Sequence, residues 1–133
     1  MDPLPPPLLP EPWASWIDLV TASQSLERAI HAATPHDASL ALRAAASQVR
    51  FAAAYQETAH RPAVAAQLRA LAQRLQQYAG QAATLSAADL PRWQQGPWYR
   101  FQGDLAAAAV KVQQSTDPAQ AVLRAVLPGA PPA

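Results

Sequence analysis

The sequence predicts an all-α protein: an antiparallel bundle of four long helices plus a short C-terminal helix. Alanine, which loses no side-chain entropy in a helix, supplies 33 of the 133 residues, and there are only four glycines. Apolar residues recur at steps of three and four along most of the chain. The interior prolines fall where one such pattern stops and the next begins, at Pro35, Pro62, Pro91, Pro97 and Pro118.

The length predicts one domain with an irregular segment at each end. Residues 1–12, MDPLPPPLLPEP, contain six prolines and predict an extended, polyproline-like arm. In this arm Leu4, Leu8 and Leu9 alternate with prolines, a pattern suited to binding a groove on a partner at low entropic cost. The helical bundle is predicted over residues 13–127, and residues 128–133 predict a flexible tail.

The first two helices are predicted over residues 13–33 and 35–59. The second has a clear start, because Thr34 is a good N-cap, Pro35 suits the first turn and Asp37 adds an acid there. This helix carries two apolar faces. One consists of Leu42, Ala46, Val49 and Ala53. The other consists of Leu40, Ala44, Phe51 and Tyr55. Apolar residues on two sides predict a central position for this helix.

The third helix is predicted over residues 62–79, with Gly80 as its C-cap, or with residues 81–85 continuing the helix past Gly80. The sequence SAAD at residues 86–89 is a capping box, so a turn or a single-turn helix is expected over residues 86–93. The fourth long helix begins near Pro97, and Gly103 inside it indicates a close helix approach or a mild kink. Residues 118–127 predict the short fifth helix. Short connections predict antiparallel neighbours.

The chain has no motif of a known catalytic chemistry. It has no cysteine, which excludes disulfides, thiolate nucleophiles and cysteine-bound zinc. Its glycines form neither a phosphate loop nor a dinucleotide fingerprint, and its serines lack a nucleophile-elbow context. The sequence therefore predicts a protein that is not an enzyme and has no cofactor.

Two Glu/His pairs are candidates for metal binding. Glu57 and His60 have the Glu-x-x-His spacing of helical di-iron proteins, and Glu27 and His31 lie one turn apart. A helix–helix turn near residue 35 places the two pairs at opposite ends of a hairpin, about 30 Å apart at 1.5 Å per residue. We therefore predict no metal site from them.

The densest aromatic stretch, residues 92–101, is the first candidate for partner binding. The side chains of interest are Trp93, Trp98, Tyr99 and Arg100, because interface centres are rich in Trp, Tyr and Arg. The alternative is a hydrophobic plug that closes one end of the bundle, together with Trp13 and Trp16. Trp98 and Phe101 fit the inward stripe of the fourth helix, which favours the plug.

Four arginines carry an alternative hypothesis, in which the protein is a small subunit of a nucleoprotein complex. Arg43, Arg50, Arg61 and Arg69 lie on the second and third helices and would contact the RNA or single-stranded DNA backbone. The net charge of only +1 counts against this reading. A weaker alternative is a ligand- or metal-binding bundle.

The sequence thus favours a non-enzymatic interaction or structural subunit that acts through its helix faces and its N-terminal arm. A protein partner or self-association is expected, and nucleic acid remains an alternative partner. No apolar run approaches the length that spans a bilayer, and the first 12 residues do not resemble a signal peptide, so no membrane association and a cytoplasmic location are predicted.

Overall fold

A computed structural model describes the backbone of residues 11–115 and the side chains of residues 15–113. Over this range the chain forms helices and no strand, which confirms the all-α prediction. The helices are α1 (Glu11–Ile30), α2 (Pro35–Thr58), α3 (Pro62–Ala82), α4 (Leu90–Gln95) and α5 (Pro97–Ser115). The predicted helix at 118–127, the tail at 128–133 and the arm residues Leu4, Leu8 and Leu9 lie outside the described residues.

Proline marks the helix starts, as predicted. Pro35, Pro62 and Pro91 occupy the first or second position of α2, α3 and α4, and Pro97 is the first residue of α5. The start of α2 is also capped, because the Asp37 backbone N–H donates to Thr34 Oγ1 over 3.1 Å. These positions suit proline since the first N–H groups of a helix have no partner within it.

Several helix boundaries differ from the prediction, including the end of α1, which lies at Ile30 and not at residue 33. Helix α1 begins at Glu11, inside the predicted arm, because a proline at residue 12 is compatible with a first turn. Helix α3 continues through Gly80 to Ala82, so Gly80 is an interior residue and not a C-cap. The capping-box residues Ser86 and Asp89 hydrogen-bond each other, but they close a turn that precedes α4.

Helix α2 ends in a Schellman motif that uses histidine where glycine is usual. The Arg61 N–H donates to the Gln56 carbonyl over 2.9 Å, and the His60 N–H donates to the Glu57 carbonyl over 3.0 Å. His60 has a φ of 62°, the only positive φ of a non-glycine residue in the described chain. This left-handed residue reverses the chain toward α3.

The long helices alternate in direction, and α2 lies between α1 and α3. Ser15, near the start of α1, donates to the carbonyl of Ala52, near the end of α2, over 3.4 Å. Ser39, near the start of α2, donates to the carbonyl of Ala79, near the end of α3, over 2.8 Å. Helix α5 packs mainly on α1 and also contacts α3. The two serine hydrogen bonds show that α1 and α2, and likewise α2 and α3, run antiparallel.

The core changes character along the chain. Eleven of the 17 buried apolar residues of α1–α3 are alanine, whereas the five in α4 and α5 are Leu90, Trp98, Phe101, Leu105 and Val112. The described buried polar residues, Ser15, Ser25, Ser39 and Gln56, all belong to α1 and α2. Each of these four polar groups makes a hydrogen bond. The small alanine side chains let the helix axes approach closely.

Only one of the two apolar faces of α2 is buried. Leu42, Ala46, Val49 and Ala53 are in the core, but Leu40, Phe51 and Tyr55 are 50%, 62% and 41% exposed. The central position of α2 between α1 and α3 is confirmed, and its second apolar face is exposed. The reason is geometric: α1 and α3 both pack against the inner half of α2, so no described helix covers its outer half.

None of the described helices combines the length and the apolar character that crossing a bilayer requires.

Candidate functional site

The predicted aromatic segment folds into a cluster where α3, α4 and α5 meet. Trp93 of α4 lies 6.5 Å from Trp98 of α5 and 6.4 Å from Tyr78 of α3, measured between ring centroids. Tyr78 also meets Phe101 edge-on, at 5.7 Å and an interplanar angle of 89°. We call these four residues, Tyr78, Trp93, Trp98 and Phe101, the aromatic cluster. Edge-on and tilted geometries are the favourable ones for aromatic pairs.

Gly96 makes the bend that brings α4 and α5 together. A Cβ atom at this position would lie 2.8 Å from the Arg92 carbonyl oxygen, which belongs to the backbone and cannot move aside easily. The following Pro97 then starts α5, so that Trp98 turns into the core one residue later. Gly103 is different, because it is exposed and an added Cβ would meet nothing within 4 Å. The prediction of a close helix approach at Gly103 is therefore wrong.

The four partner-binding side chains predicted in residues 92–101 divide into two groups. Trp98 is fully buried and Trp93 is half-buried in the aromatic cluster, whereas Tyr99 is 61% exposed and Arg100 is exposed. Trp98 is therefore corrected from a surface residue to a core residue, as the plug alternative anticipated. Trp16 does not join this plug, since it lies near the start of α1, at the opposite end of the bundle.

Arg74 joins α3 to α5 at the edge of the aromatic cluster. Its guanidinium lies 4.8 Å from the Phe101 ring centroid, donates to the Tyr78 hydroxyl over 3.2 Å and pairs with Asp104 over 3.1 Å. The hydrogen bond with Tyr78 is the main reason that the pKa of Arg74 is raised, and the charge of Asp104 acts in the same direction. These contacts give Arg74 a structural role, because they link α3 to α5.

A small polar depression of about 310 Å³ adjoins Tyr99. Glu27 of α1 accepts a hydrogen bond from Gln102 of α5, and its other carboxylate oxygen lies 3.0 Å from His31 Nε2. The Gln94 amide closes one side, because it donates to the Ala29 and Ala32 carbonyls at the end of α1. The polar groups of this depression thus bind one another across α1, α4 and α5.

The two Glu/His pairs lie at opposite ends of the α1–α2 hairpin, as predicted. Glu27 and His31 are at the end of α1, and Glu57 and His60 are at the end of α2. Glu57 forms an ion pair with Arg69, and His60 occupies the left-handed position of the turn. Among the described residues, no group of three or more His, Cys, Asp or Glu side chains is placed to hold a metal ion.

Three of the four arginines assigned to nucleic acid are engaged with neighbouring side chains. Arg50 donates to Gln76 over 3.0 Å, Arg61 donates to the buried Gln56 over 3.3 Å, and Arg69 pairs with Glu57. Of the four, Arg43 alone makes no hydrogen bond or ion pair with another described residue. Because ion pairing with Glu57 cancels the charge of Arg69, these contacts weaken the case for a continuous phosphate-binding stripe.

The outer half of α2 is an exposed apolar surface that is not among the predicted sites. Leu40, Ala44, Ser47, Phe51 and Tyr55 follow one another along this surface, which we call the α2 outer face. Four of the six exposed large hydrophobics of the described chain lie on α1 and α2; they are Ile17, Leu40, Phe51 and Tyr55. The signal was visible in the sequence as the second apolar stripe of this helix.

In comparisons with protein-family models, curated proteins and solved structures, the chain matches none of them.

Proposed function

We propose that the protein is a non-catalytic helical interaction module that binds another protein chain through the α2 outer face. The proposal includes the cytoplasmic location expected from the sequence. One observation carries it: Leu40, Phe51 and Tyr55 are 50%, 62% and 41% exposed on one side of a helix whose inner face is fully packed.

The size of the exposed apolar surface supports this function. Single exposed apolar residues are normal on proteins and need no explanation. Here three large ones share one face of one helix and together expose on the order of 300 Å², taking side-chain areas of about 150–250 Å² each. The largest apolar patch on a typical monomer is about this size or larger, and such patches are often functional.

The charge pattern of α2 supports the same reading. Between Leu40 and Tyr55 the charged residues are Arg43 and Arg50, and Arg50 leans toward α3, where it bonds Gln76. The two arginines are seven residues apart, so both lie along the α3 side of the helix. Covering the α2 outer face therefore removes little charge from water, which keeps the cost of binding low.

Two further features complete the proposed module. Tyr99 and Arg100 form a second, smaller exposed surface beside the aromatic cluster, with the residue types that interface centres prefer. Leu4, Leu8 and Leu9 of the proline-rich arm supply an additional segment for partner binding. In this proposal the α2 outer face contributes most of the binding energy, and these elements are accessory.

Photo-crosslinking in the native cell tests the proposal. A benzophenone amino acid is introduced at Phe51 and, as the matched control, at Gln77, which is exposed on α3 away from the α2 outer face. We expect irradiation to give at least several-fold more protein-crosslinked product from position 51 than from position 77. Equal crosslinking at the two positions would reject the α2 outer face as a binding surface.

A further inference from the structure

We infer that the occupant of the α2 outer face is a second copy of this chain, packed antiparallel along α2. This inference rests on the proposed function, since it names the partner of that same surface. It is carried by a symmetry within the surface: Leu40, Ala44, Ser47 and Phe51 follow one another at steps of four, three and four, and Tyr55 lies beyond this symmetric set. Read from either end, the order is large, small, small, large.

The symmetry has a simple geometric consequence. The midpoint of Leu40 and Phe51 coincides with the midpoint of Ala44 and Ser47, between residues 45 and 46. In a two-fold interface, if residue i contacts residue j of the other copy, then j also contacts i. A two-fold axis through this midpoint therefore places Leu40 of each copy against Phe51 of the other, and Ala44 against Ser47. The small residues lie at the crossing, where they let the helix axes come close.

The charges on α2 permit this pairing and set its salt dependence. The net charge of +1 gives two copies little overall repulsion. Arg43 and Arg50 lie along one side of the helix. The two-fold axis therefore brings Arg43 of each copy near Arg50 of the other. We therefore expect dimerisation to strengthen as salt screens these charges, by about twofold from about 50 to about 300 mM.

The area of the surface sets the strength of the dimer. Stable interfaces bury about 800 Å² per partner, whereas the three large side chains of the α2 outer face offer on the order of 300 Å². Flanking residues such as Ala54 add to this without reaching the standard size. We therefore expect a weak dimer with a dissociation constant on the order of 10–100 µM.

The first test measures association of the full chain by sedimentation equilibrium. The wild-type chain is expected to show a monomer–dimer equilibrium. Phe51→Glu is expected to weaken dimerisation at least tenfold, and Gln77→Glu, the matched control with the same charge change, is expected to leave it unaltered. Phe51 is 62% exposed, so both variants should keep the helical circular-dichroism spectrum. A wild-type chain that stays monomeric at about 200 µM would overturn the inference.

The second test reads the direction of the helices. Chains that carry benzophenone at position 51 are mixed with isotope-labelled wild-type chains, irradiated and digested with trypsin. Antiparallel packing predicts crosslinks to the labelled peptide that ends at Arg43 and contains Leu40. Parallel packing would instead label the peptide that begins at Phe51, because positions 40 and 51 are about 16 Å apart along the helix. That result would overturn the antiparallel arrangement.

The two proposals fail in different ways. If position 51 crosslinks in the cell to another protein and never to this chain, the second copy is wrong and the interaction module stands. If position 51 crosslinks no better than position 77, both are wrong.

Discussion

The α1–α3 part of the bundle and the α4–α5 part are held by different kinds of contact. In α1–α3, alanine supplies 11 of the 17 buried apolar residues, and buried hydrogen bonds such as Ser39 to Ala79 cross between the helices. In α4 and α5 no alanine is fully buried, and the contacts come from large side chains led by Trp98 and Phe101. One part is stabilised by many small increments, and the other by a few large ones.

This difference predicts how each part responds to substitution. Burying one large apolar side chain contributes about 1.5–3 kcal/mol, whereas an alanine methyl contributes roughly 0.8 kcal/mol. Loss of a single aromatic residue should therefore detach α5, whereas in α1–α3 a comparable loss is expected only at the six buried leucine and valine residues. In α1–α3 the buried polar groups set the register of the helices, since an alanine seam by itself discriminates poorly between alternative alignments.

The largest expected effect is at Trp98. Trp98→Ala should lower the free energy of unfolding by about 3–5 kcal/mol, because it empties the centre of the aromatic cluster. Trp98→Phe should cost less than about 1.5 kcal/mol, because the buried indole N–H has no hydrogen-bond partner among the described residues and its removal relieves an unpaired donor. Urea denaturation measures both. A loss below 1 kcal/mol for the alanine variant would contradict the role of the cluster.

The next effect concerns the buried polar contacts of the alanine-rich part. Gln56 is fully buried, donates to Ser15 over 2.9 Å and accepts from Arg61. Gln56→Leu should cost about 1–3 kcal/mol, because both partners lose their hydrogen bond. Gln76→Leu is the control: Gln76 is exposed and accepts from the exposed Arg50, so its loss should cost less than about 1 kcal/mol. Equal losses in urea denaturation would contradict the special role of Gln56.

The two parts also differ in how far the sequence predicts them. The starts of α2 and α5 could be predicted to the residue, because Pro35 and Pro97 restrict the backbone locally. The end of α3 could not, since Gly80 can either end a helix or lie within one, and packing decides between the two. Trp98 could be assigned to the core from its spacing with Phe101, yet Trp93 belongs to a connection whose path depends on the bend at Gly96.

The candidate surface shows a second limit. The apolar stripe of Leu40, Phe51 and Tyr55 is visible in the sequence, where it predicts only that the helix is central. Whether a stripe is buried depends on how many helices surround it, and that number is a property of the whole fold. The hydrogen bonds between Arg50 and Gln76 and the ion pair of Arg69 likewise join residues far apart in the chain, so the arginine hypothesis could not be judged from spacing.

The glycines of the α4–α5 part give a pair of opposite predictions. Gly96→Ala should destabilise the protein by about 1–2 kcal/mol, because the new Cβ would press on the Arg92 carbonyl. Gly103→Ala should stabilise it by about 0.5–1 kcal/mol, since alanine favours the helix and nothing lies within 4 Å of its Cβ. Thermal unfolding compares the two. Effects of the same sign would show that the bend at Gly96 is not a constraint.

A smaller effect is expected at the turn between α2 and α3. His60 holds a φ of 62° at the position of the Schellman motif where glycine is usual. His60→Gly should raise the free energy of unfolding by about 1 kcal/mol, because glycine adopts this conformation without the steric cost that a Cβ imposes. His60→Ala serves as the control and should not stabilise the protein. Stabilisation by alanine as well would point to the imidazole as the source of the cost.

The smallest effect is expected at Asp18, because the acidic residues of the two parts differ in their contacts. Asp104 pairs with Arg74 between α3 and α5, whereas Asp18 of α1 makes no hydrogen bond or ion pair with another described residue. Burial raises the pKa of the Asp18 carboxyl above its ordinary value, so the folded state favours the protonated form. The ionised carboxylate therefore destabilises the fold at neutral pH, and the penalty disappears as the pH falls below the pKa of the unfolded chain.

Asp18→Asn should accordingly stabilise the protein at pH 7, by no more than a few tenths (~0.3) of a kcal/mol because solvent screens this part-exposed carboxyl, and this gain should vanish near about pH 3. Measuring the difference between variant and wild type by urea denaturation at each pH cancels the titration of the other carboxyl groups. A variant that is less stable than wild type at neutral pH would mean that the Asp18 carboxylate has a favourable partner. In that case the α1–α3 part would be held by charge as well as by alanine packing, and the contrast with the Arg74–Asp104 contact would disappear.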